Sequence, residues 1–234
     1  MEKKFTDPEL GDIILRRSLK ARNYTIKIAN GAISAIMPMR GDEQKMIDFI
    51  NQRRERLKKA LIKHPTREIL SEQTEMQTLT FDVRIRRAPK QDKFHMFLKE
   101  KQLTIACPED TDFENAEVQK LLRRLLQAAM RHEAKRILPP KVKQLASQYG
   151  FSYTGVTIKN NKSNWGSCSA RKHINLSLSL MQLPEHLIDY VILHELCHTV
   201  EMNHSDRFWH LMDHVTGNRA KALRTELKQY HPIY

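Results

Sequence analysis

The sequence predicts an α+β fold in two parts, a small β-rich unit with one helix over residues 1–109 and a mainly helical domain over residues 110–234. Short segments in which apolar and polar residues alternate, a pattern typical of half-buried strands, crowd the first part. Apolar residues spaced three or four apart, typical of amphipathic helices, dominate the second part. One alternating segment at residues 173–180 precedes an apolar helix and predicts a strand with one apolar and one polar face.

The length and composition fit a folded protein with a real core. The chain has 234 residues and 40% hydrophobic content, which is enough for one large or two small domains. No apolar run approaches the roughly 20 residues that span a bilayer, and the first residues lack the apolar core of a signal peptide. We therefore expect no membrane association and a cytoplasmic location. The three cysteines are far apart and form no C-x-x-C pair, which argues against disulfides and a cysteine zinc ribbon.

The formal net charge of +13 is the most unusual bulk property of the chain. A positive excess of this size favours association with polyanions, most often nucleic acid. A basic surface that only keeps the protein in solution explains the charge equally well. Both interpretations remain open at the level of composition.

Strands are predicted in the first part at residues 13–15, 24–28, 32–37, 79–85, 94–98 and 103–107. Asn30 and Gly31 form a two-residue turn typical of a hairpin between the second and third of these strands. Asp42 is placed to cap a helix that continues to about residue 63.

The second part begins with two predicted helices. The first runs from Asp112 to about Ile137 and should be broken by Pro139 and Pro140, because proline lacks the backbone N–H that an inner helical turn requires. The second should end at Gly150, a residue type that suits the left-handed C-terminal position. Two strands are predicted to follow, at residues 156–158 and 173–180.

The segment at residues 190–204 contains the pattern H-E-x-x-H and a third histidine six residues later. On a helix, residues four apart lie on one face, so His194 and His198 can direct their imidazoles to one point. Glu195 lies beside that point without occupying a ligand position. Three histidines with one open position are typical of a catalytic zinc site, and Glu195 is placed to take a proton from the metal-bound water.

The third ligand is predicted to be His204. Asn203 is a good left-handed cap residue, so the helix should end before His204, and a turn could bring its ring back to the metal. Glu201 is the alternative ligand, since it lies three residues after His198 and could approach from the last helical turn. The spacing of His204 fits a helix followed by a turn better. Cys197 points away from His198 and is interpreted as a small buried residue.

Two helices are predicted after the histidines. Ser205 can cap the first, which carries Phe208 and Trp209 and should end at Gly217. A basic amphipathic helix should follow from about residue 218 to residue 230. The first of these helices is expected to pack over the metal helix and to hold His204 in place.

These residues resemble a known family. His194-Glu195-Leu196-Cys197-His198, then Asn203-His204-Ser205 and Phe208-Trp209, look like the YgjP-like metallopeptidases, which are similar to the SprT-like zinc proteases that act on proteins attached to DNA. The stretch Asn164-Trp165-Gly166-Ser167-Cys168-Ser169, the later Ile174-Asn175-Leu176, and the N-terminal hairpin followed by a helix agree with this resemblance.

The resemblance implies a zincin-like fold with a small sheet packed on the metal-binding helix, and a zinc-dependent hydrolase that acts on proteins or peptides. It also assigns His204 as the third ligand. In zincins a strand beside the metal helix aligns the substrate backbone by edge pairing, and the resemblance places the strand at residues 173–180 there. No particular substrate is implied.

Two other functions compete with a peptidase. Some rRNA-maturation endoribonucleases use three histidines at the same two intervals, and the positive charge would suit them, but their pattern lacks the glutamate. The chain could also be a nucleic-acid or protein-binding module in which the metal only supports the fold. An open fourth position with Glu195 beside it argues against that role.

Overall fold

A computed structural model of the chain describes residues 2–29, 31–63, 68–161 and 164–230, and it forms two compact units that divide between Glu68 and Ile69. Helices and several small sheets are both present, so the predicted α+β class is confirmed. The division differs from the predicted boundary at residues 109 and 110. The reason is packing: Val83 and Ile105 of the expected first part belong to the same buried cluster as Leu196 of the metal helix.

The N-terminal unit contains one four-stranded sheet and two helices. Its strands lie in the order β1-β2-β4-β3. The elements are β1 (Glu2–Asp7), β2 (Gly11–Ser18), β3 (Thr25–Ala29), β4 (Ala32–Pro38), α1 (Glu43–Asn51) and α2 (Arg54–Lys63). Asp42 caps α1 as predicted, since its carboxylate accepts the Gln44 backbone N–H. The expected single helix is two helices, and β1 was not predicted. Asn30, one of the two residues of the predicted hairpin turn, lies outside the described residues.

The C-terminal unit begins with a second four-stranded sheet, in the order β5-β6-β8-β7. Its strands are β5 (Met76–Gln77), β6 (Asp82–Arg87), β7 (His95–Lys99) and β8 (Gln102–Cys107). The predicted strand at residues 79–85 therefore starts later. The Thr78 hydroxyl donates to the Phe81 carbonyl and accepts the Phe81 N–H. These bonds form a turn over residues 78–81, so the first residues of the expected strand are not in it.

The two four-stranded sheets are copies of one arrangement. In each, the second strand pairs in parallel with the fourth: Ile13 lies opposite Ile33 in one sheet, and Val83 lies opposite Leu103 in the other. The hairpins also correspond, because Ala29 pairs with Ala32, and Lys99 pairs with Gln102. These positions are related by a constant offset along the chain, which is the mark of an internal repeat.

One arginine contact recurs in the repeat. Arg17 donates a hydrogen bond to the carbonyl oxygen of Gly41, after the fourth strand of the first copy. Arg87 donates to the carbonyl oxygen of Thr111 at the same place in the second copy. In each copy the arginine thus fixes the chain as it leaves the sheet toward the following helix.

The rest of the C-terminal unit is built on helices. The elements are α3 (Ala116–Tyr149), β9 (Gly155–Lys159), β10 (Gly166–Cys168), β11 (His173–Ser177), a 3₁₀ helix (Leu178–Gln182), α4 (Glu185–Cys197), α5 (Asp206–Thr216) and α6 (Ala220–Leu227). The three strands form a sheet in the order β10-β11-β9. Helix α4 contacts α3, α5 and α6 as well as β10 and β11. The metal helix therefore lies at the centre of this unit.

The predicted helix break at Pro139 and Pro140 is wrong, because α3 continues through both residues. Leu138 and Val142 on either side are fully buried. Between them, Lys141 forms ion pairs of 2.8 Å with Glu185 and 2.7 Å with Asp189, both on α4. Packing and these ion pairs offset the backbone hydrogen bonds that the two prolines cannot make. The predicted end at Gly150 is confirmed, with a φ of 72°.

The predicted strand at residues 173–180 is also too long. It ends at Ser177, and residues Leu178 to Met181 turn into the 3₁₀ helix with all four side chains buried. The alternation of serine and leucine suggested one exposed face. Ser179 is instead 1% exposed, so the alternation did not report solvent exposure here.

The N-terminal unit offers a test of its ion pairs. Both oxygens of Asp7 lie 2.8 Å from the Arg54 guanidinium, and Oδ1 also accepts the N–H groups of Glu9 and Leu10. Arg54 above all holds the pKa of Asp7 well below its usual range. A lowered folded-state pKa stabilises the unit above the unfolded pKa, and this contribution is lost as the pH falls.

We expect Asp7→Asn to lower the free energy of unfolding of this unit by about 1–3 kcal/mol at pH 7. The difference from wild type should shrink below about pH 4, where the unfolded carboxyl is protonated. Amide hydrogen exchange of β2 and β4 in urea measures it. Asp12→Asn is the control, because its pair with Lys4 is exposed and exposed ion pairs contribute little to stability. Equal losses in the two variants would contradict the prediction.

Candidate metal centre

Helix α4 carries the first two predicted ligands at its C-terminal end. Pro184 precedes the helix and Glu185 lies in its first turn, where a negative charge favours the helix dipole. The helix ends at Cys197, with His198 as the cap residue. Helix α4 is buried on most sides, so its packing against the core fixes the backbone of its last turn. This places His194, Glu195 and His198.

His204 lies past the helix end as predicted, but the reason given for it is wrong. Asn203 does not adopt the left-handed conformation. The helix stops earlier: the Thr199 hydroxyl donates to the carbonyl oxygen of Leu196 at 2.7 Å, and the Val200 N–H donates to that of Cys197 at 3.0 Å. These bonds tighten the last turn and redirect the chain, so that residues 200–203 form the loop that returns His204.

The three predicted imidazoles converge. Nε2 of His194 lies 3.2 Å from Nε2 of His198 and 3.1 Å from Nε2 of His204. Four-coordinate zinc with nitrogen ligands at 2.0–2.1 Å places those nitrogens about 3.3 Å apart. Within the described ranges, these three residues form a group whose donor atoms could hold one metal ion. The residues thus fit a zinc ion by donor type and by spacing.

Backbone and aromatic contacts orient the rings. Nδ1 of His198 lies 3.0 Å from the backbone carbonyl oxygen of Glu201. A carbonyl only accepts, so Nδ1 carries the hydrogen and Nε2 keeps its lone pair for the centre. Glu201, the alternative ligand, therefore meets the site through its backbone, and its carboxylate is not part of the ligand group.

Phe208 is the common support of the three histidines. Its ring centroid lies 4.9 Å from that of His194, 4.5 Å from that of His198 and 4.8 Å from that of His204. Ser205 caps α5 by accepting the Phe208 N–H, as predicted, and Gly217 ends this helix with a φ of 61°. Trp209 stacks on His204 at 5.9 Å and an interplanar angle of 26°. Helix α5 therefore holds His204, as expected from the sequence.

The electrostatics favour the neutral form of His194 and His204, which is the form that binds a metal. Burial lowers the pKa of His194 to about 3, and the charges of the other two histidines and Arg224 act in the same direction. Burial and the neighbouring positive charges of His198 and Arg224 also lower the pKa of His204. Protons therefore compete poorly with a metal ion for these nitrogens near neutral pH.

Glu195 lies directly beside the histidines in sequence and points into the protein. Its side chain is 5% exposed, and its Oε2 has no hydrogen-bond partner among the described residues. Burial raises the pKa of Glu195 to about 8. A buried, unpartnered carboxyl is costly unless a charge or ligand compensates it, and a divalent cation in the neighbouring histidine group would favour its ionised form.

The strand at the sheet edge is not the predicted one. Strand β11 lies in the middle, and the three-residue β10 occupies the edge and contacts α4. Sequence reasoning missed this because three residues are too few to show a period, although the Trp-Gly-Ser-Cys stretch marked the place. His173 lies on β11 with its ring 2.8 Å from the Thr157 hydroxyl, and it is not in the ligand group.

The sequence of this chain matches the model of one protein family, described as YgjP-like, metallopeptidase domain, over residues 22–230. The chain belongs to the YgjP-like metallopeptidase family. Membership makes it a metal-dependent peptidase by class and confirms the resemblance seen in the motifs. No curated protein matches the chain.

Two crystal structures are similar to part of this YgjP-like protein. The metallopeptidase zymogen of Pyrococcus abyssi abylysin is 23% identical over 40% of this chain and 93% of its own, with a TM-score of 0.36. The metallopeptidase zymogen of Methanocaldococcus jannaschii jannalysin is 22% identical over 39% of this chain and 94% of its own, also with a TM-score of 0.36. In the described part of the YgjP-like chain, no helix combines the length and apolar composition that would cross a membrane.

The ligand set can be tested by metal content. We expect His204→Ala to lose most of the near-stoichiometric zinc that the wild-type protein should retain, because two imidazoles leave half of a tetrahedral site open. Metal analysis of the purified, dialysed proteins measures this. The matched control is His210→Ala, an exposed histidine on α5. Wild-type zinc content in His204→Ala would remove this residue from the ligand set.

Proposed function

We propose that this protein is a zinc-dependent peptidase in which His194, His198 and His204 bind the metal and Glu195 is the general base. The observation that supports this best is the convergence of three ring nitrogens: Nε2 of His194 lies 3.2 Å from that of His198 and 3.1 Å from that of His204. The adjacent residue Glu195 is buried, and its Oε2 has no hydrogen-bond partner among the described residues. Each histidine contributes one Nε2, so a fourth position remains for water or substrate.

Zinc held by these three nitrogens would polarise the scissile carbonyl and lower the pKa of a coordinated water to about 7. Glu195 would accept the proton from the attacking water and deliver it to the leaving amine. Its carboxyl suits that role because Oε2 accepts no hydrogen bond from the residues that the structure describes. The protein surroundings also shield the group from bulk water, so that a proton taken by Glu195 is kept for the next step.

A peptide substrate suits the edge of β10. In the pairing with β11, the Ser177 N–H donates to the Trp165 carbonyl, and the Ser169 N–H donates to the His173 carbonyl. By the alternation of antiparallel strands, Ser167 directs its backbone groups to β11, while Gly166 and Cys168 direct theirs to the side away from β11. An extended peptide could add there as a further strand.

Two local features would shape the bound peptide. The Asn164 side-chain amide donates to the Gly166 carbonyl oxygen at 3.1 Å, which leaves fewer free groups for a substrate on this short edge. Val200 and Met202, in the loop that leads to His204, are 61% and 48% exposed. Apolar side chains at that place would favour apolar substrate residues near the cleaved bond.

The role of Glu195 can be tested by Glu195→Gln. The amide keeps the size of the side chain but cannot take a proton, so the variant should retain zinc and lose at least about 100-fold in kcat on an unfolded protein substrate. Glu201→Gln is the control, since that carboxylate lies outside the ligand group. Wild-type turnover in Glu195→Gln would disprove the general-base role.

A parallel incubation with structured RNA separates the two enzyme classes that the sequence left open. The proposal expects cleavage of the unfolded protein and none of the RNA by the zinc-loaded enzyme. RNA cleavage that disappears in His204→Ala, without any proteolysis, would replace the peptidase by an endoribonuclease.

A further inference from the structure

Gly166 lies at the edge of the sheet against the side chain of Glu195. A Cβ atom built on Gly166 would lie 2.6 Å from Oε1 of Glu195, 2.8 Å from its Cγ and 2.9 Å from its Cδ. These distances are all below normal contact, so a methyl group and the present position of the carboxyl exclude each other. The three atoms nearest to the built Cβ all belong to Glu195.

The backbone does not require glycine at this position. Gly166 is a strand residue, and its φ is not among the positive values of the chain. Gly150 and Gly217 show the opposite case: both have positive φ, and a Cβ on either would meet nothing within 4 Å. Those two glycines serve the backbone conformation. At Gly166, glycine is required because the side chain of Glu195 occupies the space that a Cβ atom would fill.

The same face of the strand also carries Cys168. It lies two positions further and so faces the same side of the sheet. Strand β10 contacts α4, and the Cβ position of Gly166 meets Glu195 of that helix. The face of β10 that carries Gly166 and Cys168 is therefore directed at Glu195.

We propose that Gly166 is a positioning residue for Glu195, holding the carboxyl where the general base must act. This inference rests on the proposed function of Glu195. The clashing atoms all belong to the side chain of Glu195 and not to backbone, so the fold can absorb a methyl group by rotating Glu195 away. The metal ligands should stay in place while the base leaves its position.

The kinetic test is Gly166→Ala. The variant should retain near-stoichiometric zinc, keep KM within about threefold and lose about 100-fold or more in kcat, a loss typical of a general base out of place. The matched control is Gly155→Ala, the same change in the same sheet, where the methyl would meet the ring of His173 at 3.0 Å. Wild-type kcat in Gly166→Ala, or loss of its zinc, would overturn the proposal.

A thermal double-mutant cycle tests the contact without turnover. With Glu195→Ala as background, the space beside Gly166 is empty, and Gly166→Ala should raise Tm because alanine fills it and suits a strand better than glycine. In the wild-type background the same change should leave Tm unchanged or lower it. Equal shifts in both backgrounds would show that Gly166 does not meet Glu195.

A wild-type protein without peptidase activity would overturn the proposed function, while this cycle would still decide the contact.

Discussion

The site depends on the burial of α4. The helix presents apolar residues to neighbours on several sides: Leu187, Ile188, Ile192 and Leu196 are fully buried. This burial fixes the last helical turn and gives His194, Glu195 and His198 their places relative to the sheet and to α5. A surface helix with the same motif would hold the two histidines four residues apart equally well. It would not hold the glutamate against a strand, and it would not remove the carboxyl and the imidazoles from water.

The same burial creates an electrostatic cost that a metal ion would remove. His194 and Glu195 are adjacent, and their pKa values move in opposite directions, to about 3 and about 8. Both shifts have burial as the first cause, and both favour the neutral form. Oε2 of Glu195 is also buried without a partner among the described residues. A divalent cation would bind the imidazoles in their neutral form, which the lowered histidine pKa already favours. Its positive charge would also favour the ionised form of the Glu195 carboxyl.

The convergence of the three histidines is the part of the candidate site that the sequence predicted best, because it follows from local spacing. His194 and His198 need only a helix, and His204 needs only a helix end and a capped helix at Ser205. The edge strand was not predictable in this way. Gly166 is one of three residues in β10, and its contact with Glu195 joins positions that are distant in the chain. The same limit explains Pro139 and Pro140, where Lys141 and its partners on α4 outweigh a local rule that normally ends a helix.

The repeat explains why the strands were predicted well and the boundary was not. Both copies have the same alternation, since Ile13 and Leu15 correspond to Val83 and Ile85. In the first copy, α1 and α2 cover the apolar face with Met46, Ile50 and Leu57 and complete a separate core. In the second copy, the apolar face joins the cluster that contains α3, α4 and the 3₁₀ helix, and the Leu79 N–H donates to the Met181 carbonyl at 2.7 Å. Periodicity reports that a strand has an apolar face, but not which element covers it. One arrangement can therefore stand as a unit with its own core and also contribute to the core beneath the metal helix.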